Sequence, residues 1–241
     1  MSQREAIGRR TGVFCPLRIW ASLTALILLS LICPKRIYAE QFPQICDEKA
    51  DFALGTEDYS TAIRLHENIV RNHPGDALAH YHLGFAYGMS GDHSAELREY
   101  LAARQLGLRN WDFLLNLGLL YLDRDAPSDA IAVLQEAAGV RPQHAEVHFN
   151  LALAFERSGQ SRRAIGEMLQ SLKLDPTNPD SQNELAALYA ETGNPSAARA
   201  IWAELLLTHP NYEPAQKNLA ILQTVANSDL PPVVLSAKSS H

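Results

Sequence analysis

The side chains that could carry chemistry in this 241-residue chain are nine histidines, three cysteines and a surplus of carboxylates. Metal-assisted hydrolysis would need two imidazoles on one helix face with a carboxylate beside them, and a His pair four residues apart supplies that. His66-Glu67 has no second histidine at that interval. His80 and His82 stand two residues apart, and on a helix such residues point to different sides. His73-Pro74 and His209-Pro210 read as helix ends, where an imidazole can face the last carbonyls. Gly88-Met89-Ser90-Gly91 does not have the spacing of a nucleophile elbow, and the chain has no Gly-rich phosphate loop. Cys15 and Cys33 lie near the N-terminus, so Cys46 is left without an internal disulfide partner and reads as a buried structural thiol. The histidines are expected to be structural. No catalytic residue, cofactor or metal is expected, and the chain does not read as an enzyme.

Charge narrows the class of partner. The chain has 21 Lys+Arg against 27 Asp+Glu. Six of the basic residues but only Glu5 among the acidic ones lie in residues 1–39, which leaves 15 against 26 in the remainder. A partner bound by phosphate neutralisation is therefore excluded, and no nucleic acid is expected. The basic N-terminal residues precede Ile19–Cys33, an uninterrupted run without a charge. That run is shorter than a spanning helix prefers and suits the apolar part of an export signal, with cleavage after Ala39. The expectation is an exported chain, periplasmic or otherwise extracytoplasmic. Residues 19–33 are its one membrane contact, either removed or kept as an inner-membrane anchor.

The elements that position everything else are set by a repeat period of about 34 residues. Leu83-Gly84, Leu117-Gly118, Leu151-Ala152 and Leu185-Ala186 recur at that interval, as do Tyr87, Tyr121, Phe155 and Tyr189. Ala62, Ala130, Ala164 and Ala198 share it, and so do Pro74, Pro142, Pro176 and Pro210. Gly91, Gly159 and Gly193 mark the middle of three units. Each unit carries two amphipathic helical stretches between its Pro and Gly punctuation, with Leu and aromatic positions four apart on one face. Small residues between them allow two helices to cross closely.

On these columns the sequence resembles the tetratricopeptide-repeat family over about residues 43–226. The resemblance implies an all-α fold: a right-handed superhelical solenoid of about five helix–turn–helix repeats, closed by a C-terminal capping helix. The domain reading is residues 1–39 as signal or anchor, 40–226 as the solenoid and 227–241 as a flexible tail. The capping helix, around Pro214–Ala226, offers Leu219, Ile221 and Leu222 to the last repeat. Departures from the pattern are Ala50 and Ala53 in the first unit, Glu96 and Leu108 in the second, and Asp125-Ala126-Pro127 at the third turn. His80 and His148 share a column in which the family usually places a large packing residue. Asn116, Asn150 and Asn218 form another, read as hydrogen bonding within the solenoid.

In such solenoids the first helix of each repeat lines the concave face, and ligands commonly lie there. This assigns Tyr81, Phe85, Leu115, Leu119, Leu122, Phe149 and Leu153 as partner-binding residues. From Phe113 to Leu122 every residue is apolar except Asn116 and Gly118, and a helix apolar all round is covered on every side. Either a partner covers Leu115 and Leu119, or the superhelix buries them itself. Asp47, Asp51, Asp112, Asp123, Glu146, Glu156, Asp180 and Glu191 flank the stripe and favour a protein or peptide with an apolar core and basic flanks. The resulting expectation is a non-catalytic interaction scaffold of the cell envelope. The alternatives are a self-oligomerising module and an accessory subunit of an envelope enzyme or secretion complex.

Overall fold

At the turn inside each of the five repeat periods the backbone passes through the left-handed region: Glu57 (φ 62°), Gly91 (90°), Asp125 (55°), Gly159 (75°) and Gly193 (83°), and Gly107 (92°) does so between two periods. Glycine enters that region without steric cost. Glu57 and Asp125 hold it at roughly 1–2 kcal/mol each, where the hairpin imposes it. These five turns organise the computed structural model, which describes residues 47–228.

Each turn joins two helices. The hairpins are α1 (Glu48–Gly55) with α2 (Tyr59–Asn72), α3 (Ala77–Met89) with α4 (His93–Gln105), and α5 (Trp111–Asp123) with α6 (Pro127–Val140). Then come α7 (Ala145–Arg157) with α8 (Ser161–Leu174), α9 (Pro179–Glu191) with α10 (Pro195–Thr208), and the single α11 (Glu213–Ser228). There is no strand among the described residues. The fold is all-α, as the repeat columns predict. Asp58, Asp92 and Asn194 cap α2, α4 and α10 by accepting from the backbone N–H three residues on, which satisfies donors the first turn leaves over.

The joints between hairpins share a second device. His80 Nε2 and His148 Nε2 donate to the carbonyls of Pro74 and Pro142, at 3.2 and 3.0 Å. The Gln182 and Gln216 amides donate to those of Pro176 and Pro210, at 2.8 and 2.7 Å. In the remaining joint Leu108 replaces the proline and Leu114 replaces the donor, so both members of the pair change together. There the Arg109 guanidinium donates to the Leu108 carbonyl at 2.7 Å. The histidines of this column are structural, as expected, but they act as donors as well as packing groups.

The described residues fall into two compact units, 47–120 and 121–228. In the first, α1 packs on α2, α2 on α3 and α3 on α4. A Cβ on Gly84 would lie 2.5 Å from Tyr100 Cδ1, so only glycine admits that ring. Tyr100 meets Tyr81 and Phe113 with ring centroids 5.8 Å apart in both pairs, and all three rings are buried. Glu96, where the family has a small residue, is fully buried and accepts from His93 Nδ1 at 2.9 Å.

In the second unit α6 packs on α7, α7 on α8, α8 on α9, α9 on α10 and α10 on α11. Its last core joins Ala186, Ala198, Trp202, Leu205 and Ala215, with Leu219 and Leu222 of α11 packed against them. Ile221 departs from the expectation: it is 60 % exposed, because it falls on the other side of the helix from that pair. Helix α11 runs to Ser228, two residues into the segment read as a tail. The expected signal or anchor, and the tail after Ser228, lie outside the described residues. No helix among the described residues is long and apolar enough to cross a membrane.

Candidate protein-interaction surface

The seven apolar residues assigned from the sequence sit on first helices and are all buried, none more than 7 % exposed. In the first unit Tyr81 and Phe85 share one face of α3, and Leu115 and Leu119 one face of α5. Asn116 Nδ2 donates to the Tyr81 hydroxyl at 2.8 Å. Burial, and then the Asp112 carboxylate beside it, hold that hydroxyl well above the ordinary phenol range. Burial also raises Asp112. Leu115 and Leu119 are fully buried within the chain, so their apolar character needs no outside cover. In the second unit Leu122, Phe149 and Leu153 are buried likewise.

On the first helices of the second unit the packing leaves several carboxylates partly accessible. Glu146, Phe149, Leu153 and Glu156 follow one another at three- and four-residue spacing, so they share one face of α7. Asp180, Glu184 and Glu191 line up in the same way on α9. Burial, then the charges of Glu156, Asp180 and Glu191, push Glu184 up to about 7. Burial alone pushes Glu146 up to about 7. Glu156 is raised by burial and by Glu191, with Arg157 opposing. Arg157 directs its guanidinium elsewhere, donating to the Leu122 carbonyl at 2.6 Å. Asp180 accepts from the Tyr212 hydroxyl at 2.6 Å. Among the described residues no lysine or arginine forms an ion pair with Glu184. The arrangement stores negative charge and a proton near neutrality, a setting that favours an incoming cation.

The repeat geometry now meets an independent comparison. Family models of the tetratricopeptide repeat match residues 48–107, 90–145, 115–179 and 157–222. The chain belongs to the tetratricopeptide-repeat family. It is similar to the transcription factor tau 131 kDa subunit of Saccharomyces cerevisiae, 21 % identical over 194 residues, which cover 80 % of this chain and 19 % of that protein. The chain thus spans about a fifth of the length of that curated relative. Among solved structures it is similar to YrrB, described as a tetratricopeptide-repeat protein with an unusual peptide-binding site. That likeness has a TM-score of 0.66 at 18 % identity, over 70 % of this chain and 87 % of YrrB. It is also similar to a MamA fragment of Desulfovibrio magneticus RS-1, with a TM-score of 0.64 at 18 % identity, over 68 % of this chain and 93 % of that one. These structural likenesses show the fold alone.

Within the tetratricopeptide frame the Asn column behaves as the sequence suggests. Asn116 bonds Tyr81, Asn150 Nδ2 donates to the Glu146 carbonyl at 2.9 Å, and Asn218 Nδ2 donates to Asn183 Oδ1 at 3.1 Å. Glu184 occupies the same column, one period after Asn150, and was not singled out by sequence reasoning. The available signal was that one member of an amide column carries a charge. Of the carboxylates expected to flank the stripe, Asp47 caps α1, accepting from the backbone N–H of Lys49 and Ala50. Asp123 and Glu191 are exposed. Asp51 is drawn into a different setting, beside His66 and His82. Sequence reasoning set both histidines aside for metal binding.

Proposed function

We propose that the chain is a non-catalytic interaction scaffold that holds a protein or peptide segment carrying basic side chains beside an apolar core. Members of the tetratricopeptide-repeat family are protein-interaction scaffolds, which supports the general role. The observation that carries the specific reading is the set Glu156, Asp180, Glu184 and Glu191, with Glu184 pushed up to about 7 by burial and by its neighbours' charge. A lysine or arginine placed among these groups removes their mutual repulsion, and like charge is excluded. Phe149 and Leu153 lie on the same face as Glu146 and Glu156, and at 7 % exposure each they back the proposed contact from within the core rather than line it. Of the remaining assigned residues, Leu122 is buried within the second unit, and Tyr81, Phe85, Leu115 and Leu119 are buried within the first.

Binding a cation at Glu184 draws it to its ionised form, so affinity should rise as pH rises through about 7. Fluorescence anisotropy with two labelled peptides tests this, one alternating Leu with Lys and the other Leu with Glu. The Leu/Lys peptide should bind and the Leu/Glu peptide should not. Glu184→Gln should weaken the basic peptide roughly tenfold, about 1.4 kcal/mol, and flatten the pH dependence. Equal binding of both peptides, or no effect of Glu184→Gln, would overturn the reading. Light scattering of the chain alone separates peptide capture from self-association.

The place of action is proposed from the N-terminal segment. Basic residues ahead of the apolar run Ile19–Cys33 support delivery out of the cytosol to the cell envelope. N-terminal sequencing of the mature protein distinguishes removal after Ala39 from retention as an inner-membrane anchor.

A further inference from the structure

In the first unit three successive helices bring one carboxylate and two imidazoles to a point. Asp51 on α1, His66 on α2 and His82 on α3 each offer one ligand atom, and these atoms all lie within 4.8 Å of one another. Asp51 Oδ1 is 2.9 Å from His82 Nδ1 and 3.5 Å from His66 Nε2. Ligand atoms sharing one tetrahedral zinc ion stand roughly 3.3 Å apart, as set by bonds of about 2.0–2.1 Å. The two distances straddle that value.

A second, independent observation points the same way. His66 Nδ1 lies 3.0 Å from the Ala62 carbonyl, which can only accept, so Nδ1 carries the proton. In the neutral ring Nε2 therefore presents its lone pair toward Asp51. A backbone carbonyl that fixes one ring nitrogen while the other faces the ion is the usual support of a metal-bound histidine. The His66 and His82 rings meet edge to face, with centroids 5.3 Å apart and planes at 89°. His66 is 1 % exposed, whereas the Asp51 side chain is 25 % exposed. Asp51 Oδ1, the oxygen that faces both rings, is itself buried, so the three ligand atoms are shielded while the rest of the carboxylate residue reaches toward solvent.

We propose that Asp51, His66 and His82 bind a single zinc ion that fastens α1 to α2 and α3. Two imidazoles and one carboxylate are a donor set suited to zinc, which imposes no geometry of its own. Coordination through His82 Nδ1 moves that ring's proton to Nε2, so the neutral ring stays neutral. The ion would secure the eight-residue α1, the shortest described helix, and leave the surface of the second unit unchanged.

The test uses the full chain without an affinity tag, titrated with zinc alone and, separately, with cobalt as a spectroscopic stand-in. Expected are one zinc per chain, visible d–d absorption with cobalt, and slower amide exchange in α1 and α2 on zinc addition. Asp51→Asn, which is nearly isosteric and partly exposed, should keep the helical circular dichroism. It should raise the zinc Kd by more than about 100-fold, beyond the loss expected for a supporting residue. His82→Gln serves as a second variant, and His148→Gln, outside the cluster, should leave binding unchanged. No zinc uptake by the full chain would overturn the proposal. So would uptake undiminished in both Asp51→Asn and His82→Gln.

Discussion

Residues 47–120 and residues 121–228 are built on one repeat, yet they treat buried charge differently. In the first unit three carboxylates inside the packing meet imidazoles. Glu99 accepts from His80 Nδ1 at 2.8 Å, Glu96 from His93 at 2.9 Å, and Asp51 lies between His66 and His82. His80 faces acceptors through both ring nitrogens, and its pKa is raised, first by Glu99. The second unit keeps one such pair, His148 with Glu167 at 2.7 Å. On its first helices Glu156, Glu184 and Glu191 are left to one another, while Asp180 accepts from Tyr212. Charge compensated inside a unit contributes to folding. Charge left uncompensated weakens folding and remains available to a partner.

Four substitutions break or sharpen this contrast. The largest effect is expected from Tyr100→Ala, which removes the ring shared by Tyr81 and Phe113 and should cost about 3–5 kcal/mol in denaturant unfolding. Next is Gly84→Ala. Its new methyl would sit 2.5 Å from the fully buried Tyr100 ring, and overpacking of this kind costs about 1–3 kcal/mol. Thermal unfolding would show it.

The third concerns Glu184, whose pKa rises from 4.5 to about 7 in the folded chain. Between those values the folded state holds a proton that the unfolded state has lost, so stability falls as pH climbs through this window. His80, raised by Glu99, adds a loss of the same sign as pH passes its folded value. Glu184→Gln should remove the first contribution, stabilise the chain above about pH 7 by on the order of 1–2 kcal/mol and flatten the melting profile. An unchanged pH profile would mean that the second unit carries no stored repulsion. The smallest effect is Gly166→Ala in α8, where nothing lies within 4 Å of the added methyl. This helix interior should gain roughly 0.5–1 kcal/mol, the opposite sign to the same substitution at position 84.

The hairpins were legible because several residue types repeat at one interval, each for its own steric reason. Leu-Gly and aromatic columns set the crossing, Gly91, Gly159 and Gly193 the turns, and proline the joints. Asp125 and Glu57 show that the turn column is a backbone demand, met by non-glycine residues where the hairpin enforces it. The sites were less legible. Leu115 and Leu119 are as apolar as a docking strip would be, but composition does not say which surface covers a side chain. Glu184 was hidden because its column reads as amide hydrogen bonding in three other repeats. Asp51, His66 and His82 escaped because ligand spacing is usually sought within one helix, whereas these lie on three successive helices. Only tertiary packing brings them together.

The latch at each joint has a consequence for how such a chain changes over time. A proline carbonyl and the side chain that holds it lie within seven consecutive residues, so a gene segment one period long carries both halves together. Copying or deleting whole periods therefore leaves every surviving joint intact, and since His and Gln both reach the proline carbonyl, only a crossover with the Leu108–Leu114 joint would separate the two halves. The Leu108–Leu114 joint has neither half of the latch and is held by Arg109 instead.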